Sequence, residues 1–268
     1  MDNEAEYKRW NDPVWVATWP SREALTGAVT PYLLDAIAAQ PGWRVCDVGC
    51  GAGPLTLALA AAVAPLGEAV GFDISAGLLE LARTRAAEAG CTNARFVEMD
   101  AQTGEDDHGR FEVVASQFGV MFFDEPTRAL RALRDRLTPS GRLVFACWQG
   151  VERNPWHVGT ALRSLMPAPR TPAPGKSPVG PFAFGDEEYV REILEAAGYA
   201  TVSATPHEFT TCGPASAVTD PALFAGMGIA PAREEEAKAI VARHLQQFAV
   251  TPDEFEFPLA FMVYEAAA

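Results

Sequence analysis

Short apolar segments alternate with longer segments of helical pattern along the first half of the chain. Continuous apolar segments predict parallel strands covered by helices on both faces, because such strands lose the alternation of polar and apolar residues. We predict strands at 43–48, 68–73, 94–100, 111–116 and 142–148. Helices are predicted at 54–64, 76–89 and 125–137, and a turn at 138–141. This alternation of strands and helices predicts an α/β fold.

The N-terminus and the second half of the chain have weaker patterns. Residues 21–40 are expected to form a helix with Ser21 as N-cap and a break near Thr30, because Pro31 lacks the amide proton that a helix needs. After Gly150 a proline-rich stretch predicts an irregular insertion. Further elements are predicted as follows: a short helix near 156–165, helices at 186–197, 220–228 and 232–248, and strands at 200–210 and 255–264. The last strand alternates and is expected at an antiparallel edge of the sheet.

The composition is ordinary for a globular protein, and its charge argues against some classes of partner. Hydrophobic residues make up 49% of the 268 residues, and charged residues 21%. The net charge is −14 and no run rich in Lys or Arg occurs, which argues against nucleic acids and anionic membranes as partners. The longest apolar run, 55–66, is shorter than the ~20 residues that span a bilayer. Scattered cysteines and an acidic N-terminus without a signal-peptide pattern predict a cytoplasmic protein, with a homodimer left open.

A glycine-rich turn follows the first predicted strand, at Gly49, Gly51 and Gly53. Glycine permits the sharp turn and leaves room for a ligand, and the helix that follows points free N–H groups at that ligand. The spacing differs from the G-x-G-x-x-G pattern of dinucleotide-binding turns. Asp47, at the end of the strand, would repel a pyrophosphate but suits a cofactor with a cationic amino-acid end. A generic nucleotide-binding turn is the alternative.

Two more predicted strands end in an acidic residue, at Asp73 and Asp100. Asp73 follows the glycine turn at close to the ~20-residue offset of an acid that binds ribose hydroxyls. A carboxylate accepts two hydrogen bonds from a cis-diol, whereas the alternative role for Asp73 is to cap the helix that starts near Ser75. Asp100 adds a third acid at a strand end, which argues against a dinucleotide dehydrogenase.

Segment 45–53, with the sequence Val-Cys-Asp-Val-Gly-Cys-Gly-Ala-Gly, resembles motif I of the class I S-adenosylmethionine (SAM) dependent methyltransferases. Asp100-Ala101-Gln102 resembles the feature of this family in which an Asp accepts the adenine amino group and the next residue offers its backbone N–H. Segment 137–143, Leu-Thr-Pro-Ser-Gly-Arg-Leu, resembles the family's motif after its fourth helix. The resemblance covers residues 43–148 and is strongest to small-molecule methyltransferases of the ubiquinone/menaquinone-biosynthesis type.

The resemblance implies a Rossmann-like, doubly wound, mostly parallel seven-stranded sheet with an antiparallel last strand and helical lid insertions. Together with the change of composition at Gly150, it divides the chain into an N-terminal helical lid (1–40), a SAM-binding core (41–150), a Pro-rich insertion over the acceptor site (151–185), and the C-terminal part of the core sheet (186–268) with a helical insertion at 215–250. It also implies SAM as the cofactor and S-adenosylhomocysteine (SAH) as its product. The implied cofactor contacts are Asp47, Gly49, Cys50, Gly51, Gly53, Asp73, Ile74, Asp100, Ala101, Gln102, Ser116 and Gln117.

The small-molecule acceptor of the methyl group is expected at the end of the fourth strand and beneath the insertion. Candidate contacts are Trp19, Phe118, Met121, Phe122 and Trp156. Core packing is the default role for the three residues between 118 and 122. The aromatic residues of 1–20 form either a stripe on the core or a lid over the cofactor, whose sulfonium aromatic rings attract. Asn154-Pro155-Trp156 has letters of an amine-binding motif of N-methyltransferases but follows the wrong strand, so we interpret it as unrelated.

Methyl transfer from a sulfonium depends mainly on positioning and on the local charge. A general base is needed only where the acceptor must lose a proton, and His157 in the insertion is the candidate. No cluster of side chains has metal-ligand spacing, so we expect no metal. The leading hypothesis is a methyltransferase acting on an O, N or C atom of a small molecule, with a role in secondary metabolism. The alternatives are an enzyme of the same fold that uses an adenosyl ligand for another reaction and a non-catalytic SAM-binding protein.

Overall fold

A computed structural model describes residues 4–103, 108–167, 177–214, 221–251 and 254–268. The described helices are α1 (Glu4–Trp10), α2 (Pro13–Thr26), α3 (Thr30–Ile37), α4 (Pro54–Val63), α5 (Ala76–Glu88), α6 (Pro126–Asp135), α7 (Glu187–Ala197), α8 (Pro221–Gly226) and α9 (Glu234–Leu245). The described strands are β1 (Arg44–Val48), β2 (Glu68–Asp73), β3 (Ala94–Glu98), β4 (Phe111–Gln117), β5 (Leu137–Trp148), β6 (Thr201–Gly213) and β7 (Phe255–Ala267).

These strands form one sheet in the order β3-β2-β1-β4-β5-β7-β6. Strands β1 to β5 pair in parallel, whereas β7 runs antiparallel to both β5 and β6. The strand order reverses between β1 and β4, and open α/β sheets bind their ligands beyond the carboxyl ends of the strands at such a point. The predicted doubly wound, mostly parallel seven-stranded sheet is therefore confirmed.

Helices cover the central strands, which explains their continuous apolar sequences. In β4, Val113, Val114 and Ala115 are fully buried, and α3 packs across β4, β5 and β7. Helix α4 starts at Pro54, directly after Gly53 in the left-handed conformation, and a proline at that position sacrifices no helical hydrogen bond. The sequence pattern and the packing therefore agree over the core of the sheet.

The N-terminal helices differ from the sequence prediction. Helix α2 begins at Pro13 and not near Ser21, because the Asp12 side chain accepts hydrogen bonds from the amides of Val14 and Trp15 and caps it there. A 3-10 turn at Gly27–Val29 then separates α2 from α3. The predicted break near Thr30 is confirmed, with Pro31 in the first turn of α3.

Three predictions in the second half of the chain are wrong in detail. Residues 138–141 belong to β5 and form an irregularity in its register with β4, instead of a separate turn. The stretch 156–165 has consecutive turns at 158–165 in place of a regular helix, although the buried residues Val158, Leu162 and Leu165 have helical spacing. Strand β7 is antiparallel as predicted, but it lies inside the sheet and is buried along most of its length.

Strand β6 forms one edge of the sheet, opposite β3 at the other, and it carries Pro206 and exposes many side chains, as edge strands do. Strands β6 and β7 pair over their full lengths, while β5 reaches only to Trp148 opposite Phe261. The paired stretch formed by the start of β7, before Phe261, and the end of β6 therefore extends past the end of β5. Parts of several predicted segments (1–3, 104–107, 168–176, 215–220 and 252–253) lie outside the described residues.

Candidate active site

The glycine turn after β1 has the geometry that its sequence predicts. Gly49, Gly51 and Gly53 all have positive φ angles, of +69°, +54° and +84°. The amides of Gly49 and Cys50 both donate to the carbonyl of Phe72 at the end of β2, at 2.8 and 3.0 Å. These bonds hold the turn against β2, so its backbone is fixed relative to the strand that carries Asp73.

Side chains at two of these glycines would collide with fixed atoms. A Cβ atom on Gly49 would lie 2.8 Å from the Cα atom of Gly119, and one on Gly53 would lie 2.9 Å from the ring of Phe96. Gly51 is less crowded, with the Trp19 indole 3.3 Å from the position of a Cβ atom. Packing therefore requires glycine at 49 and 53, while residue 51 faces the aromatic N-terminal segment.

Asp47 is a buried acid beneath this turn. Its Oδ2 atom accepts a 2.7 Å hydrogen bond from the Thr56 hydroxyl. Burial raises the pKa of Asp47 to about 7; the nearby Asp73 carboxylate adds to the increase, whereas the Thr56 bond opposes it. A cation placed against Asp47 would favour its ionised form.

Asp73 binds the two loops that meet at the end of β2. Its Oδ2 atom accepts the Gly51 amide and its Oδ1 atom accepts the Ser75 amide, both at 2.8 Å. Burial raises the pKa of Asp73, and these backbone bonds oppose the rise. The cap of α5 is Ser75, whose hydroxyl accepts the Leu78 amide. Each oxygen of Asp73 can accept a further hydrogen bond.

Asp100 has an unsatisfied oxygen. Its Oδ1 atom accepts the Gln102 amide at 3.1 Å, but its buried Oδ2 atom has no hydrogen-bond partner among the described residues. Gln102 in turn accepts the Asp124 amide at 3.0 Å and links this acid to the segment after β4. A buried carboxylate oxygen without a donor is unfavourable, so this position suits a ligand that brings an N–H group.

Ser116 and Gln117 are engaged in bonds within the protein. The Ser116 hydroxyl donates to the Val48 carbonyl at 2.7 Å and accepts the Gly119 amide at 3.2 Å. The Gln117 side chain donates to the Thr26 carbonyl and accepts from the Thr30 hydroxyl. A side-chain contact from either residue to a ligand would have to add to these bonds or replace one.

The candidate acceptor residues fall into two aromatic clusters. Phe118 has a left-handed φ of +64° and stacks on Trp148, with ring centroids 4.1 Å apart, and Trp148 contacts Trp156 edge to face at 5.2 Å. In the second cluster the ring of Trp10 meets those of Trp15, Trp19 and Phe122 edge to face. Met121 is 1% exposed, which matches its default role in the core.

Sequence reasoning included Trp10 only among the aromatic residues of 1–20, without singling it out, and missed Trp148 as a member of the first cluster. Trp148 is the last residue of β5, and the rule that put candidates at the ends of other strands applies to it equally. Trp10 lies at the centre of its cluster, but its tryptophan neighbours are as conspicuous in the sequence. Only the fold distinguishes them.

Asn154 has a structural role. It is fully buried, and its amide nitrogen donates to the carbonyls of Gln149 and Ala260. Its side-chain oxygen accepts the Ala260 amide and the Trp156 indole N–H, both at 3.0 Å. These bonds tie the segment after β5 to β7. Because the Asn154 side chain is fully used in these hydrogen bonds, the structure agrees with the interpretation that Asn154-Pro155-Trp156 is not an amine-binding motif.

His157 lies among aromatic rings. Its imidazole contacts the rings of Trp156 and Phe182 edge to face, at 5.9 and 4.8 Å. Its Nδ1 atom is buried and has no hydrogen-bond partner among the described residues. Burial lowers the pKa of His157 to about 4, and the neighbouring His244 contributes to the decrease. The ring is therefore neutral at physiological pH and can accept a hydrogen bond.

Segments that are distant along the chain also contact one another. Trp15 lies against Gly226, the last residue of α8, and Arg9 donates to the Gly226 carbonyl at 3.4 Å. Gly228 in turn packs against Pro167 of the insertion. The segment between β6 and β7 thus touches both the N-terminal helices and the insertion.

The described part of the chain also bears on metal ions and membranes. There, no group of three or more His, Cys, Asp or Glu side chains could hold a metal ion. Within the same ranges no helix is both long and apolar enough to cross a membrane.

The strand order, the glycine turn and the acids at the ends of β1 and β2 define the fold of the class I SAM-dependent methyltransferases. Residues 45–141 match the family model described as a methyltransferase domain. It is 34% identical to the aklanonic acid methyltransferase DauC of Streptomyces sp. strain C5, over 42% of this chain and 51% of the relative. It is also 34% identical to the ubiquinone/menaquinone biosynthesis C-methyltransferase UbiE of Ectopseudomonas mendocina, over 42% of this chain and 44% of the relative.

These matches span about half the length of the two relatives. The fold extends further than the sequence similarity. The crystal structure of YcgJ from Bacillus subtilis aligns with a TM-score of 0.59 and 17% identity, covering 90% of this chain and 98% of that protein. The resemblance to small-molecule methyltransferases of the UbiE type is therefore confirmed for the core, and the fold for most of the chain.

Proposed function

We propose that this protein transfers the methyl group of SAM to an O, N or C atom of a small organic molecule by in-line displacement. The observation that carries the proposal is the sequence of acids Asp47, Asp73 and Asp100 at or just beyond the ends of adjacent strands, around a turn of left-handed glycines. An adenosyl amino acid needs acceptors for an ammonium group, a diol and an adenine amine, and these acids supply all three types.

The residues present fit this cofactor. The unsatisfied Oδ2 atom of Asp100 is suited to accept the adenine amino group, with the backbone of Ala101 beside it. Asp73 retains acceptor capacity for the ribose hydroxyls, and the buried Asp47 would gain a cationic neighbour from the amino-acid end. The positive φ angles of the glycine turn support the same assignment, because its exposed backbone lets a ligand approach closely.

The protein's part in the reaction is to position the reactants and to exclude water. When bound, SAM supplies an electrophilic methyl carbon, to which the acceptor atom bonds while the carbon–sulfur bond breaks and its electron pair stays on sulfur. Phe118 and Phe122 follow β4 and Trp10 is bonded to the loop after β2, so their rings would provide apolar walls there, and aromatic rings attract a sulfonium. Such walls favour a compact approach of the two reactants over hydrolysis.

We retain His157 as the candidate base for an acceptor that must lose a proton. Its neutral ring can take a proton, but a pKa of about 4 gives it little driving force to do so. An acceptor whose own proton is acidic, such as a phenol or an enol, would fit such a weak base best. Substitution of His157 by Phe keeps an aromatic ring and removes the nitrogen atoms, so it tests the base without opening a cavity.

The remaining expectations stay predictions. They comprise the four-part division of the chain, the contacts of Trp19, Met121 and Trp156 with an acceptor, and the possible homodimer. The lack of nucleic-acid and membrane partners, the cytoplasmic location and the role in secondary metabolism belong to the same group.

Titration calorimetry with SAM and SAH tests the proposal first. We expect both to bind the wild-type protein, and Asp73→Ala to weaken the binding of SAH by about 1–3 kcal/mol, the scale of hydrogen bonds to a charged group. The control is Asp135→Ala, which removes an exposed acid at the end of α6. Failure of the wild type to bind SAH would overturn the proposal.

Methyl transfer then distinguishes the proposal from its alternatives. Phenols, amines and compounds with acidic C–H groups would be tested for uptake of a labelled methyl group from SAM. Transfer to any class supports the proposal. Binding of SAM without transfer to any class would favour an enzyme with another reaction on this fold, or a non-catalytic SAM-binding protein.

A further inference from the structure

The turn between α1 and α2 is bonded to the loop that follows β2. The side-chain nitrogen of Asn11 donates to the Ile74 carbonyl, and its side-chain oxygen accepts the backbone amide of Ala76, both at 3.0 Å. The Ser75 hydroxyl donates to the Trp10 carbonyl at 2.6 Å. We call these three hydrogen bonds the latch.

The side chain at residue 11 is matched to the backbone it binds. Its carboxamide bonds both the Ile74 carbonyl and the Ala76 amide, two residues apart, as the backbone of a neighbouring strand would. The second amide proton of Asn11 donates to the Tyr7 carbonyl within its own segment, so the donors and the acceptor of the side chain are all used. An aspartate at this position would keep only the acceptor and would place a charge near Asp73.

The latch holds the segment that fixes Asp73. The Ser75 amide, which lies between the two backbone groups bound by Asn11, donates to the Asp73 carboxylate. The other oxygen of that carboxylate accepts the Gly51 amide. A continuous set of hydrogen bonds therefore runs from Asn11 through the 74–76 backbone and Asp73 to the glycine turn.

Helix α2 is also tied to the glycine turn at a second point. The Trp19 indole N–H donates to Glu23 at 3.0 Å, and Glu23 forms an ion pair with Arg85 at 2.8 Å. Arg85 donates to the Ala52 carbonyl at 3.1 Å. The N-terminal helices are thus anchored on both sides of the bond between Asp73 and Gly51.

We propose that Asn11 is a positioning residue, which holds loop 73–76 so that Asp73 faces the ribose, and through which cofactor binding and docking of α1 and α2 favour each other. The proposal rests on the proposed function only in identifying the ribose as the group that Asp73 binds. Coupling of this kind is reciprocal: if docked helices raise the affinity for SAH, then SAH must stabilise the docked helices to the same degree.

The test compares Asn11→Ala with Val14→Ala, whose side chain is 56% exposed on the same segment. Hydrogen exchange without ligand reports on the latch directly. We expect exchange of the Ala76 amide to be faster by roughly tenfold in Asn11→Ala, the scale of one or two lost hydrogen bonds. Exchange in β1 and β4 should stay at the wild-type rate in both variants, which shows that the fold is intact. Unchanged exchange at Ala76 would overturn the latch.

SAH binding then tests the coupling. We expect the Kd for SAH to rise roughly tenfold in Asn11→Ala and to stay unchanged in Val14→Ala. SAH should slow exchange in α1 and α2 of the wild type, and this protection should be largely lost in Asn11→Ala. Asn11→Asp should restore neither the wild-type affinity for SAH nor the protection of α1 and α2 by SAH. Faster exchange at Ala76 with unaltered SAH affinity would overturn the positioning role. A wild type that does not bind SAH overturns the proposed function and the coupling together, whereas exchange at Ala76 still decides the latch.

Discussion

Gly49 and Gly119 pack backbone to backbone where the turn after β1 meets the turn after β4. A Cβ atom on Gly119 would lie 2.6 Å from the Val48 carbonyl oxygen and 2.9 Å from the Cα atom of Gly49. These neighbours are backbone atoms, which cannot rotate away as the end of a side chain can. The contact therefore sets the distance between the glycine turn and the segment that carries Phe118.

We expect Gly119→Ala to lower the free energy of unfolding by about 1–3 kcal/mol, as overpacking does, and to weaken SAH binding because the glycine turn must shift. Urea denaturation and calorimetry measure the two effects. Gly27→Ala is the matched control, since nothing lies within 4 Å of the added Cβ atom and the backbone there is helical. Equal stabilities of the two variants would contradict the prediction.

The ionisation of Asp47 should make stability depend on pH. Its pKa of about 7 in the folded protein exceeds the usual value near 4 for an exposed Asp, so between these values the folded state holds a proton that the unfolded chain has lost. Stability therefore falls as the pH rises from 4 to 7, with a limiting slope of about 1.4 kcal/mol per pH unit from this one group.

Asp47→Asn removes this pH dependence, because the amide stays neutral at every pH. Its oxygen can still accept a hydrogen bond from the Thr56 hydroxyl. In the absence of ligand, we expect the variant to be more stable than the wild type at pH 8, with the difference shrinking toward pH 4. Urea denaturation across this range measures it. Asp35→Asn, on an exposed position of α3, serves as the control. A stability difference that is independent of pH would argue against the buried acid as the cause.

Local signals explain why so much of the cofactor site could be predicted. Acids at strand ends and glycines with positive φ each depend on a few neighbouring residues, so Asp47, Asp73 and the glycine turn are visible in the sequence. The start of α2 also had a local signal, Asp12 followed by Pro13, which is the pattern of an N-cap and a first helical residue.

Other features depend on contacts between distant parts of the chain. Gly119 must be glycine only because β4 lies next to β1, and Asn11 bonds the loop after β2 only because the turn before α2 lies against that loop. The interior position of β7 follows from its pairing with β6 as well as β5. A single sequence carries no local trace of such neighbours, so these features required the structure.

Asp100 should make the protein prefer a cofactor whose nucleobase is adenine. Asp100→Asn preserves the oxygen that accepts the Gln102 amide and places an NH2 group where the unsatisfied Oδ2 atom lies. Two donors would then face each other at the adenine amino group, and we expect SAH affinity to fall by about 1–3 kcal/mol. The inosine analogue of SAH, with a carbonyl oxygen in place of that amine, should lose less affinity or gain some. Parallel losses for both ligands would contradict a direct contact with the base.

The buried amide of Asn154 should contribute to stability. Asn154→Ala leaves the Ala260 amide and the Trp156 indole N–H without their acceptor, and the Gln149 and Ala260 carbonyls without a donor. We expect the free energy of unfolding to fall by about 2–4 kcal/mol, because buried polar groups that lose their partners keep the full desolvation penalty. Asn11→Ala is a useful comparison, since it removes a partly exposed amide and should reduce global stability less. An amine-binding role would instead predict a normal unfolding transition with a raised KM for an amine acceptor, so denaturation and kinetics on the same variant distinguish the two interpretations.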